Sequence, residues 1–90
     1  MKLSFHLQAW DDYRFWQAND PRMLARVDAL IGDALRSPYR GIGKPEPLRK
    51  NLSGWWSRRI DGEHRFVYRI AGKGDDQVFE IMQCRFHYSR

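Results

Sequence analysis

"WWSRRIDGEHRFVYRI", Trp55 to Ile70, is the stretch on which the fold turns. Trp56 and Ile60 alternate with Trp55, Ser57 and Arg59, and Phe66, Tyr68 and Ile70 alternate with Arg65, Val67 and Arg69. A period of two on both sides of Asp61-Gly62, a turn dipeptide, predicts a half-buried β-hairpin. Arg65 and Arg69 then share one face. Whether Arg58 or Arg59 joins them depends on register, which alternation does not fix. Trp55 and Trp56 must point to opposite faces, one into the core and the other a candidate stacking platform.

Moving towards the C-terminus, "AGKGDD" (71–76) is a turn, and Gln77 to Arg85 is a further strand. Phe79 and Ile81 lie on one of its faces, Val78, Met82 and Cys84 on the other, which suits an interior strand. Towards the N-terminus, Tyr39 to Gly54 holds Gly, Pro and polar residues without sustained period. A connection of that length is usually functional or disordered. Leu48 and Leu52 can tack it to the body as one helical turn.

Before it, Asp20 can cap a helix with Pro21 at its first position. Leu24, Val27, Ile31 and Ala34, flanked by Leu30 and Leu35, make its apolar stripe, and Ser37-Pro38 ends it. Gln8 to Ala18 has helical spacing, with Asp11 and Asp12 suited to a first turn. "KLSFHL" (2–7) alternates as a strand. The fold class expected is α+β, in the order β-α-α-β-β-β, with two helices packed on one face of a mostly antiparallel four-stranded sheet. Residues 1–90 form one domain. The other face of the sheet is left free.

Charge is unevenly spread along the chain. Residues 36–70 carry nine basic and three acidic groups, a net of +6, while residues 1–35 net −1 and residues 71–90 net zero. Twelve of the sixteen cations are Arg, the type suited to forked contact with phosphate. This favours a polyanionic partner, against the plainer reading of a solvated face. No window has the apolar length of a membrane span, the N-terminus is not of signal-peptide type, and Cys84 alone forms no internal disulfide. A cytoplasmic protein is expected. His6 and His64 lack metal-ligand spacing with Cys84, and there is no phosphate-cradling glycine loop, so neither a metal nor a cofactor is expected.

One chemistry fits this residue set. RNA is cut when its 2′-OH attacks the adjacent phosphorus, given a base, cations for the phosphate and an acid for the departing 5′-oxygen. Glu46, fixed between Pro45 and Pro47 in the most basic part of the chain, is a candidate base. Arg65, with Arg59 or Arg58, is a candidate phosphate holder. His87 is a candidate acid, and Tyr88 can stack on a base. Each has a bland rival: Glu46 as a charge partner, the arginines as exposed strand residues, His87 and Tyr88 as packed terminal side chains. On the residues alone an RNA-cleaving enzyme, a non-catalytic RNA- or ribosome-binding module and an acidic-partner docking domain all stay open.

The run "GKPEPLRKNLSGWWSRRIDGEHRFVY" (43–68), followed by "CRFHY" (84–88), resembles the YoeB (Txe) family of the RelE superfamily. "MKLSFHLQAWDDYRFWQ" (1–17) and "DPRMLARVDALIGDALRSPYRG" (20–41) are similar to the same family, so the likeness covers nearly the whole chain. It implies a microbial-ribonuclease-like fold and the toxin of a type II toxin–antitoxin pair, a ribosome-dependent mRNA interferase cutting in the A site without a metal. It implies Glu46 as base, Arg65 at the phosphate, His87 as acid and Tyr88 beside them. Lys44, Arg49, Lys50, Arg58 and Arg59 are implied as RNA or ribosome contacts. The partners implied are mRNA on the ribosome and a YefM-like antitoxin. A homodimer is also found in the family, and operator DNA is reached only through the antitoxin complex. The turn over 72–76 and the Ser89-Arg90 tail extend beyond the family pattern.

Overall fold

The chain runs β1 (Lys2–Phe5), α1 (Leu7–Asn19), α2 (Pro21–Arg36), β2 (Glu46–Pro47), β3 (Trp56–Arg59), β4 (Arg65–Ala71) and β5 (Val78–Gln83) in a computed structural model that describes residues 1–87. The hairpin forms as its alternation predicts. Trp56 faces Tyr68, Ser57 faces Val67, Arg58 faces Phe66 and Arg59 faces Arg65. The Asp61 carboxylate accepts the backbone N–H groups of Glu63 and His64 at 2.8 and 2.7 Å, closing the turn between the strands.

Five strands, not four, make the sheet, in the order β1-β5-β4-β3-β2. The added strand is the two-residue β2, antiparallel to β3, with Glu46 opposite Ser57 and Pro47 opposite Trp56. Leu48 N–H to the Trp55 carbonyl (2.9 Å) and Arg59 N–H to the Gly43 carbonyl (2.7 Å) extend the pairing on either side. Prolines lack the donor an interior strand needs, so this segment can pair only at an edge. At the opposite edge β1 runs parallel to β5, which makes β5 the interior strand its apolar faces imply.

Both helices lie on one face. Asp20 is the single residue between them, and its carboxylate accepts Met23 N–H at 3.1 Å with Pro21 opening α2. Val27, Leu30, Ile31 and Ala34 are buried against Phe66, Tyr68, Phe79 and Ile81, whereas Leu35 is exposed. Phe66, Tyr68 and Phe79 stack at 4.8 and 5.2 Å between ring centroids. Each such buried ring contributes on the order of 2 kcal/mol.

Two expectations are corrected. Helix α1 starts at Leu7, so Asp11 and Asp12 fall beyond its first turn. Asp12 is buried instead and accepts the Cys84 N–H at 3.0 Å. Cys84, expected on the Met82 side, packs in the helix-side core. The cause is an irregularity in the β4–β5 pairing: Tyr68 faces Ile81 but Val67 faces Gln83, leaving Met82 unopposed and switching the alternation beyond it. Among the described residues no helix is long and apolar enough to cross a membrane.

Candidate functional site

Sheet register assigns the candidate side chains to faces. Val67 belongs to a small cluster with Leu48, Leu52, Trp55 and Met82 on the face away from the helices. Direct cross-strand partners share a face, so Glu46, Ser57 and Val67 are on this open side, and Arg59, Arg65 and Arg69 join them by alternation. The short turn Lys50–Leu52, held by buried Leu48 and half-buried Leu52, folds over part of it as the two leucines suggest. Glu46, Arg49 and Lys50 line one shallow depression, and Lys44, Arg59 and Arg26 line another with Asp61.

The register also orders them. Glu46 is on edge strand β2, Arg59 on β3 and Arg65 at the start of β4. The chain beyond β5 returns to the same end of β4, where Arg65 N–H donates to the Phe86 carbonyl at 2.9 Å. His87 follows at once. From two strand spacings and a two-residue offset, the Glu46 and Arg65 backbones lie about 12 Å apart. A phosphodiester fits between side chains projecting from such positions. Glu46 and the segment that carries exposed His87 therefore lie on either side of the Arg59–Arg65 pair along the sheet. Tyr88 lies outside the described residues.

Arg65 is half-buried, its guanidinium donating to the carbonyls of Asp61 (2.9 Å) and His64 (3.1 Å). Burial raises the Asp61 carboxyl, but the N–H groups of His64 and Glu63 and the nearby Arg65 more than offset this and hold it below its ordinary value. Lys44, Arg49, Lys50 and Arg59 are exposed. Three non-glycine residues have left-handed backbones: Lys44 (φ 53°), Lys50 (φ 56°) and Phe86 (φ 64°). Lys44 and Phe86 stand beside the segments bearing Glu46 and His87, and such strain gathers at functional sites.

Arg58 is a correction. It is fully buried on the helix side, not on the open face. Its guanidinium pairs with the Asp33 carboxylate at 2.6 Å and donates to the Tyr68 hydroxyl and to the Ser37, Arg40 and Ile42 carbonyls. With its donors so engaged and no surface, it ties the loop after α2 to the sheet and has no group to offer an RNA. The hydrogen bond from Arg58 holds the Asp33 carboxyl below its usual range. Of the two candidates for a partner to Arg65, register selects Arg59.

Neither tryptophan of the hairpin is an open platform. Trp55 is buried on the open side beneath Arg69, whose guanidinium carbon is 4.3 Å from the ring centroid. Trp56 is half-buried against the core and Tyr39. Arg69 also pairs with Glu80 at 3.3 Å, and Glu80 accepts from or pairs with His6 at 3.0 Å. His6 and then Arg69 keep Glu80 below its ordinary pKa.

Two groups that spacing alone did not single out secure the terminal segment. Trp16 donates its indole N–H to the Cys84 carbonyl at 2.7 Å, and His64 Nδ1 accepts the Phe86 N–H at 2.7 Å. Alternation from Arg65 assigns His64 to the helix side, a signal the sequence holds but does not connect to the distant C-terminus. Among the described residues no group of His, Cys, Asp and Glu is arranged to hold a metal ion.

Residues 5–88 match the family described as the YoeB-like toxin of bacterial type II toxin–antitoxin systems. Toxin YoeB of Synechocystis is 52% identical over 90 residues, covering 100% of both chains. A solved YoeB/ParE toxin from Agrobacterium tumefaciens is 56% identical, with a TM-score of 0.93 over 98% of this chain and 100% of that one. A YoeB from Staphylococcus aureus, solved as a dimer and in a heterotetrameric YoeB–YefM complex, is 40% identical over 98% of both chains, with TM-scores of 0.83 and 0.84. The α+β architecture and the full-length identity agree, and the chain belongs to the YoeB-like toxin family of bacterial type II toxin–antitoxin systems.

Proposed function

We propose that this toxin is an endoribonuclease that cuts mRNA in the ribosomal A site. Glu46 takes the proton of the ribose 2′-OH, and the 2′-oxygen attacks the adjacent phosphorus. Arg65 and Arg59 carry the charge that grows on the phosphate oxygens. His87 gives its proton to the 5′-oxygen as the P–O5′ bond breaks. The products are a 2′,3′-cyclic phosphate, open to later hydrolysis to a 3′-phosphate, and a 5′-hydroxyl. Carboxylate, guanidinium and imidazole perform the whole step, so it needs no metal.

The observation that supports this reading is the register, which puts the Glu46 carboxylate and the Arg59 and Arg65 guanidinium groups on the open face, with the segment that bears His87 bonded to Arg65 beyond them. An in-line displacement needs its base and its acid on opposite sides of the phosphorus, with positive charge between them. Lys44, Arg49 and Lys50 extend the basic surface on the Glu46 side, where they would hold flanking RNA or ribosome phosphates. The same surface suits an acidic, partly disordered antitoxin segment that folds as it binds. A YefM-like antitoxin is the partner proposed.

Mapping of mRNA ends on translating ribosomes tests the enzyme. Cleavage leaving 5′-hydroxyl and 2′,3′-cyclic or 3′-phosphate ends is expected. Ribosome binding with intact mRNA would instead favour a non-catalytic binding module.

A further inference from the structure

His64 has a structural position that the cleavage chemistry does not use. Strand β5 ends at Gln83, so the segment carrying His87 is held by individual bonds beyond the sheet. Asp12 and Trp16 of α1 grip the backbone of Cys84. Arg65 N–H and His64 Nδ1 grip the carbonyl and the N–H of Phe86, whose left-handed backbone turns the chain one residue before His87. We propose that His64 is a positioning residue: its neutral imidazole, accepting the Phe86 N–H, helps fix the terminal segment on which His87 acts, and its protonation breaks that bond and loosens the segment, which Arg65 and Gln83 still hold at the Phe86 carbonyl.

The geometry restricts the ring to one form. A backbone N–H at 2.7 Å from Nδ1 requires a lone pair there, so the ring proton sits on Nε2. A carboxylate oxygen of Glu63 is 3.6 Å from that nitrogen. The ring cannot swing away freely. It lies edge-on to Trp16 at 5.0 Å and against Phe86 at 5.8 Å, and its side chain is 13% exposed. Its backbone is also fixed, the N–H on the Asp61 carboxylate and the carbonyl accepting from Ile60 N–H. Adding a proton to Nδ1 sets two N–H groups against each other, and the bond to Phe86 is lost.

The charges around the ring come from three directions. Asp61, Glu63 and Arg65 flank it on its own hairpin. On the terminal segment Arg85 stacks over the Phe86 and Trp16 rings that His64 touches, and His87 follows. Helix α1 presents the Trp16 ring, with the Asp12 carboxylate behind it on Cys84. Protonation of His64 opens the grip on the Phe86 N–H, so activity is lost on the acid side.

The catalytic consequence rests on the proposed role of His87, whereas the structural link does not, so two readouts are needed. In the full-length protein, the Phe86 amide is expected to exchange with solvent at least about tenfold faster in His64→Leu, and to lose protection as His64 titrates in the unmodified chain. Protection unchanged by either would overturn the proposal. On translating ribosomes, His64→Leu is expected to lower kcat between about tenfold and a hundredfold with little change in KM. His64→Asn puts an untitratable acceptor near the place of Nδ1, so it should restore most of the rate and move the acid limb to lower pH. An Asn variant as slow as the Leu variant, or an unmoved acid limb, would sink it. His87→Gln in the same assay separates the cases. Full activity there removes the role of His87, while the Phe86 exchange result still decides the role of His64.

Discussion

Arg59 and Arg65 stand directly opposite each other across β3 and β4, two like charges on the face without helices. Like charges in that relation cost a pair of strands roughly 0.2–1 kcal/mol. In the proposed mechanism a phosphate held by both offsets that cost. Arg59→Ala is expected to leave the thermal midpoint unchanged or slightly raised while slowing cleavage, and to reduce the salt dependence of ribosome–mRNA binding by about one phosphate contact. Melting curves and binding across a salt series check this. Lower stability with undiminished cleavage would make Arg59 a structural residue.

Glu46→Gln keeps the size and edge-strand position of the side chain but removes the proposed base. Cleavage should fall by about 10²–10⁴-fold, with ribosome binding retained. Stability should stay within about 0.5 kcal/mol, because Glu46 is exposed. Single-turnover cleavage and ribosome co-sedimentation measure the two separately. Full cleavage by this variant removes Glu46 from the mechanism.

Arg58 and Asp33 predict the acid stability of the fold. Arg58 is fully buried, and replacing it with Ala removes its five hydrogen-bond partners' donor. A loss of about 3–5 kcal/mol is expected. Asp33 has a lower pKa folded than unfolded. The unfolded chain thus binds the proton more readily, and the stability from this pair is complete above the ordinary Asp value. It is lost as pH falls through the depressed folded value. Glu80, also depressed, acts in the same direction. The thermal midpoint should therefore drop on the acid side, and Asp33→Asn should flatten that drop while lowering the midpoint at neutral pH. A neutral-pH midpoint unaffected by Asp33→Asn would show that Arg58 does not depend on it.

The hairpin was legible because alternation, an Asp-Gly turn and bulky rings all agree over Trp55–Ile70. So was α2, through Asp20-Pro21 and its stripe. The edge strand β2 was not, because two residues between prolines show no period and their pairing is set by the partner strand. Arg58 misled for a related reason. Composition reads a guanidinium in a basic run as surface, while the register turns it inward onto Asp33, 25 residues away. The alternation did hold both facts about Arg59, its face and its exposure, once register was known. Holding the terminal segment takes contacts over more than twenty residues in sequence, from His64 and from Trp16, and no local pattern records them.

Gly43 tests whether the edge strand's placement matters to catalysis. Its carbonyl accepts Arg59 N–H at 2.7 Å, three residues before Glu46, and its φ is +82°. A Cβ there would meet Leu30 Cδ2 at 2.8 Å, and Arg58 Cβ and the Arg59 carbonyl oxygen at 3.1 Å. Gly54 has a similar φ of +95° but nothing within 4 Å of the added carbon. Gly54→Ala should cost only the backbone penalty of about 1–2 kcal/mol. Gly43→Ala should cost more, because the buried Arg58 and Leu30 cannot yield easily, and it should also slow cleavage by displacing β2 with Glu46 on it. The comparison is read from paired melting curves and cleavage rates normalised to folded protein. If the two variants lose the same stability and the same activity, close packing at Gly43 does not set the position of Glu46.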